Sequence, residues 1–293
     1  MSTTTSQAEY GLIKSLTLKC AEDAFISPDK VDAEWKDLAF TEALDWHESV
    51  REYAVFMAIL EDRHRQIHYL VEDASQSLDS IYCRDAAIMT DSGLILCNMG
   101  KENRRREPSA YRQLADRLQI PILGEIHSPG TVEGGDVAWI DGHTLAVGHS
   151  YRTNQEGIRQ LAKFLNPLGI SIVEVDLPHY RGSNDVFHLM SIFSPVARDI
   201  AVVYSPLMPI RFRNYLLEHS FQLVEVPDVE FDTLGCNVLA FDHGHCLMVE
   251  GNPITQKSLE NLGVKVITFK GQEICMKGGG GPTCLTRPLF REI

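Results

Sequence analysis

The chain has 293 residues, of which 44% are apolar, and a formal net charge of −13. This apolar content can bury the core of one large domain or of two ordinary ones. The negative charge argues against nucleic acid or an anionic membrane as a partner, and it is compatible with a small cationic substrate. No run of about eighteen apolar residues predicts a membrane span, and the first ten residues, "MSTTTSQAEY", lack the pattern of a signal peptide. We therefore expect a cytoplasmic protein with a disordered tail over residues 1–10.

Seven cysteines occur at irregular spacings, and none of them forms a CxxC pair. An odd count without regular spacing argues against a disulfide framework and against a zinc ribbon. A reducing compartment fits this usage, because most of these cysteines can then serve as small buried apolar residues.

One order of elements recurs along the chain about five times. The first unit contains "LIKSLTLKC", a helix through "WHESVREYAVFMAILEDRH", and "QIHYLVED"; the second runs from "RDAAIMTDSGLILCNMG" to "SAYRQLADRLQIPILGEI". The third has a hairpin, "GGDVAWIDGHTLAVGHS", a helical "TNQEGIRQLAKFL" and a strand, "ISIVEVDLP", and two further units follow. These ββαβ repeats favour a closed, radially repeated α/β array with pseudo-fivefold symmetry, in a single domain over residues 11–293. The alternative is an open α/β sheet with ordinary crossovers.

In a closed array the first strand of each unit lines the axis, so the starts of these strands converge. The residues at those starts are Asp85, Glu133, His188 and Asn237, and Cys284 completes the ring beside the first unit. A possible nucleophile, a possible base and two carboxylates are thus far apart in sequence but equivalent in the repeat.

Cys284 follows four glycines and "PT", in "GGGGPTC". The thiolate is the reactive form of cysteine, and glycines allow the backbone to approach a ligand closely. The pattern favours a nucleophile, and the alternative is a buried, inert cysteine behind a flexible loop. His188, in an apolar strand-like segment, is either a hydrogen-bonded core histidine or the group that protonates a leaving amine and then activates water.

Asp85 and Glu133 each stand beside strand-forming residues, where an unpaired carboxylate is costly to bury. A bound guanidinium would satisfy both carboxylates through paired hydrogen bonds. For Asp85 the alternative is a salt bridge with Arg84 or a turn cap. For Asp136, in the same segment as Glu133, we favour a structural turn or a supporting role.

The fragments "CRDAAI", "RRRE", "EGGDV", "RTNQEG", "HLM" and "GGGGPTC" occur in one order along most of the chain. In this order the chain resembles the guanidino-group modifying superfamily, which includes arginine deiminases, dimethylargininases and amidinotransferases. The resemblance implies a five-bladed α/β propeller. It also implies that Cys284 is the nucleophile and that His188, Glu133 and Asp85 complete the catalytic set.

Within the superfamily the chain most resembles the dimethylargininases. Met190 stands where deiminases and amidinotransferases have a second guanidinium-binding acid, and an uncharged side chain there leaves room for methyl groups. By the same resemblance Asp79 binds the substrate α-amine, while Arg104 and Arg152 bind its carboxylate. Arg84 and the glutamate of "EGGD" are instead more typical of deiminases.

The resemblance therefore implies a hydrolase of arginine or an N-ω-methylated arginine, which forms a covalent thiouronium on Cys284 and releases citrulline without metal or cofactor. The alternatives are an arginine deiminase, an amidinotransferase, or an amino-acid-binding sensor without activity. Homodimers are common in the superfamily, so a homodimer is possible. Residues 21–36, "AEDAFISPDKVDAEWK", read as a long loop that either closes over the substrate or is a plain surface connection.

Overall fold

The chain folds into five separate three-stranded sheets in a computed structural model, which describes residues 7–61, 65–185 and 187–292. The strands are β1 Leu12–Leu18, β2 Gln66–Tyr69, β3 Ala87–Thr90, β4 Gly93–Leu96, β5 Ile122–Glu125, β6 Val137–Trp139, β7 Thr144–His149, β8 Ser171–Asp176, β9 Phe193–Ala197, β10 Ile200–Val203, β11 Gln222–Glu225, β12 Leu239–Asp242, β13 His245–Val249, β14 Lys265–Phe269 and β15 Arg287–Glu292. The helices are α1 Ala21–Phe25, α2 Pro28–Glu34, α3 Trp46–Glu61, α4 Pro108–Leu118, α5 Gln155–Leu165, α6 Ile210–Glu218, α7 Asp228–Phe231 and α8 Pro253–Asn261.

The third unit shows why the repeat folds as it does. β6 and β7 pair antiparallel, and β8 pairs parallel to β7 after the crossover through α5. The side chain of Asn154 caps α5 by accepting a hydrogen bond from the backbone N–H of Gly157. Ile158, Leu161 and Leu165 recur at helical spacing on one face of α5, and all three are buried in the core that this unit shares with its neighbour. The predicted ββαβ unit is confirmed.

The first sheet is completed by the end of the chain. β15 pairs antiparallel with β1, and β2 pairs parallel with β1 after α3. The last strand therefore supplies the hairpin partner that the first unit lacks, which joins the two ends of the chain in one sheet.

Contacts between neighbouring sheets close the ring. β9 contacts β12, β12 contacts β1, and β15 contacts β3. The turns before β3, β6 and β9 contact one another in order. The five-bladed arrangement expected from the repeat is thus the observed architecture, and its apolar cores lie between the sheets and the outer helices.

Two local expectations differ from the structure. Residues 1–6 of the expected tail lie outside the described residues. The other four residues of that tail, Gln7, Ala8, Glu9 and Tyr10, are buried, and the carboxylate of Glu9 forms ion pairs with buried arginines. Residues 21–36 are not a long loop: they contain the short helices α1 and α2, and Ser27 with Pro28 starts the second of them. Among the described residues, no helix has the length and apolar character needed to cross a bilayer.

Candidate active site

Five turns at one end of the ring carry the polar residues of the site. Asp85 lies in a 3-10 turn that leads into β3, and Glu133 and His188 immediately precede equivalent turns that lead into β6 and β9. Asn237 and Cys284 precede β12 and β15. The expected convergence of the strand starts is confirmed, because the repeat places one side chain from each unit at the axis.

Glu133 and His188 form a buried ion pair. Glu133 Oε2 lies 2.8 Å from His188 Nε2, and the two side chains are 0% and 4% exposed. Burial alone would raise the pKa of Glu133, but the hydrogen bond and charge of His188, with the nearby arginines, lower it to about 2. Burial alone would lower the pKa of His188, but the charges of Asp136, Asp85 and Glu133 raise it to about 9. The resting histidine is therefore an imidazolium at neutral pH.

Asp136 holds the histidine segment in place. Its Oδ1 accepts the backbone N–H of Leu189 at 3.0 Å, and its Oδ2 accepts the hydroxyl of Ser150 at 2.6 Å. A Cβ on Gly135 would lie only 2.4 Å from His188 Nδ1, so the glycine is needed for this close approach. The supporting role favoured for Asp136 agrees with these contacts.

Cys284 is held by its neighbours in the ring. Asn237 Nδ2 donates to its sulfur at 3.2 Å, and the Cys284 carbonyl accepts the backbone N–H of Arg84 at 3.1 Å. Burial raises the pKa of the Cys284 thiol to about 11, with a further increase from Asp85. The resting thiol is therefore protonated, and a bound cation would favour the thiolate.

The glycine run brings the backbone against neighbouring side chains. A Cβ on Gly278 would lie 2.0 Å from the hydroxyl of Tyr82, and a Cβ on Gly280 would lie 2.5 Å from its ring. A Cβ on Gly281 would meet the Asn237 amide at 2.5 Å. Only a chain without side chains can reach Cys284 by this route.

Asp85 has one free acceptor. Its Oδ2 accepts from Arg104 Nη1 at 2.5 Å, whereas its buried Oδ1 has no hydrogen-bond partner among the described residues. An unpartnered buried carboxylate oxygen is costly unless a ligand satisfies it. Asp85, His188 and Cys284 line the same small cavity.

Arg104 is already engaged on several sides. It forms a paired salt bridge with Glu107, with both N···O distances at 2.8 Å, and it donates to Asp85 and to the Tyr82 carbonyl. Arg152 is less engaged: its Nη1 lies 3.7 Å from Glu133, and its Nη2 donates to the Asp185 carbonyl at 3.3 Å. Both arginines line the small cavity, and their binding of a substrate carboxylate stays a prediction.

Asp79 lies in the small cavity as well, but it is ion-paired with Lys101. Met190 is buried and lines a second, larger cavity of about 360 Å³, which His188 and Cys284 also border. His188 and Cys284 thus lie between a small cavity lined mostly by charged residues and a larger cavity of mixed lining.

Sequence reasoning missed Lys101, Glu107 and Tyr82. Glu107 follows Arg104 by three residues, which is a recognisable ion-pair spacing. Lys101 and Tyr82 carried no such signal, because their roles depend on contacts with the segments around Leu38 and Gly278.

A metal ion has one conceivable position in this site. Ligand atoms of Asp85, Glu133 and His188 all lie within 4.8 Å of one another. His188 Nε2 is already hydrogen-bonded to Glu133, however, and this contact would have to break before that nitrogen could bind a metal. The expectation that the chain needs no metal stays a prediction.

A ring of five ββαβ sheets with cysteine, histidine and paired carboxylates at its axis is the arrangement of the guanidino-group modifying superfamily. Within it, residues 28–291 match the model of the eukaryotic N,N dimethylarginine dimethylhydrolase family, and the chain belongs to this family.

Curated relatives include two kinds of enzyme. An N(G),N(G)-dimethylarginine dimethylaminohydrolase of Streptomyces coelicolor is 29% identical over 76% of this chain and 79% of that protein. An arginine deiminase of Listeria welshimeri is 26% identical over 72% of this chain. The match spans 61% of the length of that deiminase.

Solved structures show the same fold. The DDAH of Pseudomonas aeruginosa, in complex with citrulline, has a TM-score of 0.75 at 22% identity, covering 94% of this chain and 98% of that one. The N-terminal domain of a cyanobacterial arginine dihydrolase has a TM-score of 0.80 at 16% identity, covering 95% of this chain and 99% of that one.

Proposed function

We propose that this protein hydrolyses a C–N bond in the guanidinium of arginine, of an N-ω-methylated arginine or of a close derivative. The observation that carries the proposal is that Asp85, which has a buried oxygen without a partner among the described residues, lines the same small cavity as Cys284 and His188. Asp85, His188 and Cys284 line one small cavity, and Glu133 is hydrogen-bonded to His188. A carboxylate, an imidazole and a thiol around one small space suit a planar cation that is attacked at its central carbon.

The first half of the reaction forms a covalent intermediate. Asp85 and Glu133 hold the guanidinium, and its positive charge favours ionisation of the Cys284 thiol, whose pKa is otherwise about 11. The thiolate attacks the guanidinium carbon and an S–C bond forms. As the C–N bond to the departing amine breaks, the His188 imidazolium donates a proton to its nitrogen.

The second half regenerates the enzyme. His188, now neutral, accepts a proton from water, and the oxygen of that water attacks the thiouronium carbon. The S–C bond breaks as the carbonyl forms, and the hydroxyl proton of the intermediate passes to the departing Cys284 sulfur, so the product carries a ureido group. The proton released when the thiol first ionised goes to solvent, where it protonates the free amine. With an arginine tail this product is citrulline, and the amine is ammonia or a methylated amine according to the substrate.

The test is to incubate the purified protein separately with arginine, monomethylarginine, asymmetric dimethylarginine, agmatine and 5-guanidinopentanoate. Ureido product is measured by a colour reaction, and the released amine by mass spectrometry. Dimethylamine released from a dimethylated substrate would support the dimethylargininase activity, whereas ammonia from unmethylated substrates alone would support a deiminase. No ureido product from any of the five would overturn the proposal.

His188→Ala provides a second readout of the same mechanism. Without the imidazole, breakdown of the thiouronium should slow much more than its formation. Intact-protein mass spectrometry should then show an adduct on Cys284 that wild-type protein does not accumulate. Rapid steady-state turnover by His188→Ala would contradict the role given to this histidine.

A further inference from the structure

Lys101 places an ammonium group inside the site. It lines the small cavity together with Asp79, Arg104 and Arg152, and the free space there is only about 10 Å³. The side chains of Lys101 and Asp79 are 14% and 5% exposed, so Lys101 is not a surface lysine extending into solvent.

The Lys101 ammonium makes two hydrogen bonds within the site. Its Nζ donates to Asp79 Oδ2 at 2.6 Å and to the backbone carbonyl of Leu38 at 2.9 Å. The backbone N–H of the same residue donates to Glu133 Oε1 at 2.9 Å. Lys101 is therefore anchored at both ends, and its backbone helps to orient a carboxylate that holds the guanidinium.

These contacts change what Asp79 can recognise. A carboxylate and a carbonyl oxygen are the partners that an α-ammonium group needs, and here Lys101 already uses both. A substrate ammonium in this cavity would lie beside Lys101 and Arg152, and like charges in a buried site repel strongly. The α-amine contact expected for Asp79 is therefore not open in this structure.

The same cations suit a carboxylate. Arg104 is committed to Glu107 and Asp85, but Arg152 makes only long contacts, and the Lys101 ammonium has a third N–H beyond the two that donate to Asp79 and Leu38. Lys101 and Arg152 thus both retain N–H donors for a substrate carboxylate.

We propose that this site prefers an ω-guanidino carboxylic acid without an α-ammonium group over the corresponding α-amino acid, because Lys101 occupies the place of that ammonium. The inference rests on the proposed guanidinium site at Cys284 and narrows the class of its substrates.

The test compares arginine with 5-guanidinopentanoate, which differs from arginine only by lacking the α-ammonium group. Binding is measured by calorimetry on Cys284→Ser protein, so the result does not depend on turnover. We expect 5-guanidinopentanoate to bind at least about tenfold more tightly than arginine. Equal or tighter binding of arginine, or no binding of either ligand, would overturn the inference.

Lys101→Met in the same Cys284→Ser background frees Asp79 while keeping the bulk of the side chain. The affinity for arginine relative to that for 5-guanidinopentanoate should then rise by at least about tenfold, because Asp79 becomes available to an ammonium group. An unchanged preference would overturn the inference. If Lys101→Met does not fold, Lys101→Arg is used, and the wild-type preference for 5-guanidinopentanoate must persist in it.

Failure of this inference can be told from failure of the proposed function. If wild-type protein converts arginine to citrulline and Cys284→Ser binds arginine as tightly as 5-guanidinopentanoate, only the role of Lys101 is wrong. If Cys284→Ser shows the preference but wild-type protein forms no ureido product, the catalytic proposal is wrong and the selectivity stands.

Discussion

Two buried groups of charged residues meet at the turn that leads into β3, where each contributes one of two consecutive residues. Asp85 belongs to one group, which we call the site cluster, together with Glu133 and His188. Its neighbour Arg84 belongs to the other group, which we call the arginine cluster and which consists of Glu9, Arg84, Arg287 and Arg291. Glu9 is paired with Arg84, and its Oε2 lies 3.7 Å from Arg291 Nη2. Both clusters contain buried side-chain atoms without hydrogen-bond partners among the described residues, Asp85 Oδ1 in the one and nitrogens of Arg84 and Arg291 in the other. The site cluster differs in that Asp85 and His188 line a cavity.

The arginines of the other cluster donate hydrogen bonds to backbone carbonyls of distant segments. Arg287 donates to the Arg84 carbonyl, and Arg291 donates to the carbonyls of Gly11 and Ala240. Burial lowers the pKa of Arg287 to about 10 and that of Arg291 to about 9, and the positive charge of Arg84 lowers both further. Residues of the site cluster thus line a cavity, whereas the arginine cluster joins the first and last strands of the ring.

The largest effect should come from removing the nucleophile at the site cluster. Cys284→Ser should lower kcat by at least about 10⁴-fold, because a serine hydroxyl in this environment is far less nucleophilic than a thiolate. Its melting temperature should stay close to that of wild type. Cys20→Ser, at the start of α1, is the matched control and should keep full activity. Comparable kcat values for wild type and Cys284→Ser would remove the cysteine from the mechanism.

The next effect tests the arginine cluster. Glu9→Gln removes its carboxylate and should lower the free energy of unfolding by about 3–5 kcal/mol, since it leaves buried arginines uncompensated. Urea denaturation measures this loss. Glu292→Gln is the control: its partner Lys14 is exposed, so the loss there should stay below about 1 kcal/mol. Similar losses in the two variants would contradict the contrast between the clusters.

These two clusters also show how far the sequence carries. The ββαβ period and the positions of Asp85, Glu133, His188 and Cys284 could be predicted, because equivalent positions in a closed repeat must converge. The partner of Asp85 could not: a salt bridge with Arg84 was one alternative, but Arg84 turns to Glu9 and Asp85 meets Arg104. Sequence spacing fixes where a charged residue enters the core, whereas its partner depends on packing between distant segments.

A smaller effect concerns the histidine of the site cluster. In the proposed mechanism the His188 imidazolium donates a proton, so kcat/KM should fall as pH rises through about 9, where its raised pKa lies. Asp136 is the charge that contributes most to this rise, so Asp136→Asn should move the fall to lower pH by about one unit. The same raised pKa stabilises the fold fully below about 6.5, and this contribution is lost as pH rises through about 9.

The matched control for this pH profile is Asp176→Asn, at the exposed end of β8, which should leave the profile unchanged. A profile of Asp136→Asn that falls at the wild-type pH would assign the alkaline limb to another group, such as the thiol.

The smallest effect should come from Met190, which lines the larger cavity that His188 and Cys284 also border. Met190→Asp adds a carboxylate to the cavity that borders Cys284 and removes the uncharged surface that would accept N-methyl groups in the proposed reaction. The comparison uses a guanidino compound that the wild-type protein converts, together with its dimethylated form. The ratio of kcat/KM for the unmethylated over the dimethylated substrate should rise by at least about tenfold. Met190→Leu, which keeps an apolar side chain of similar volume, should leave this ratio within about threefold of wild type. A parallel loss of activity on both substrates in Met190→Asp would mean that Met190 supports the site by packing and does not select the methylation state.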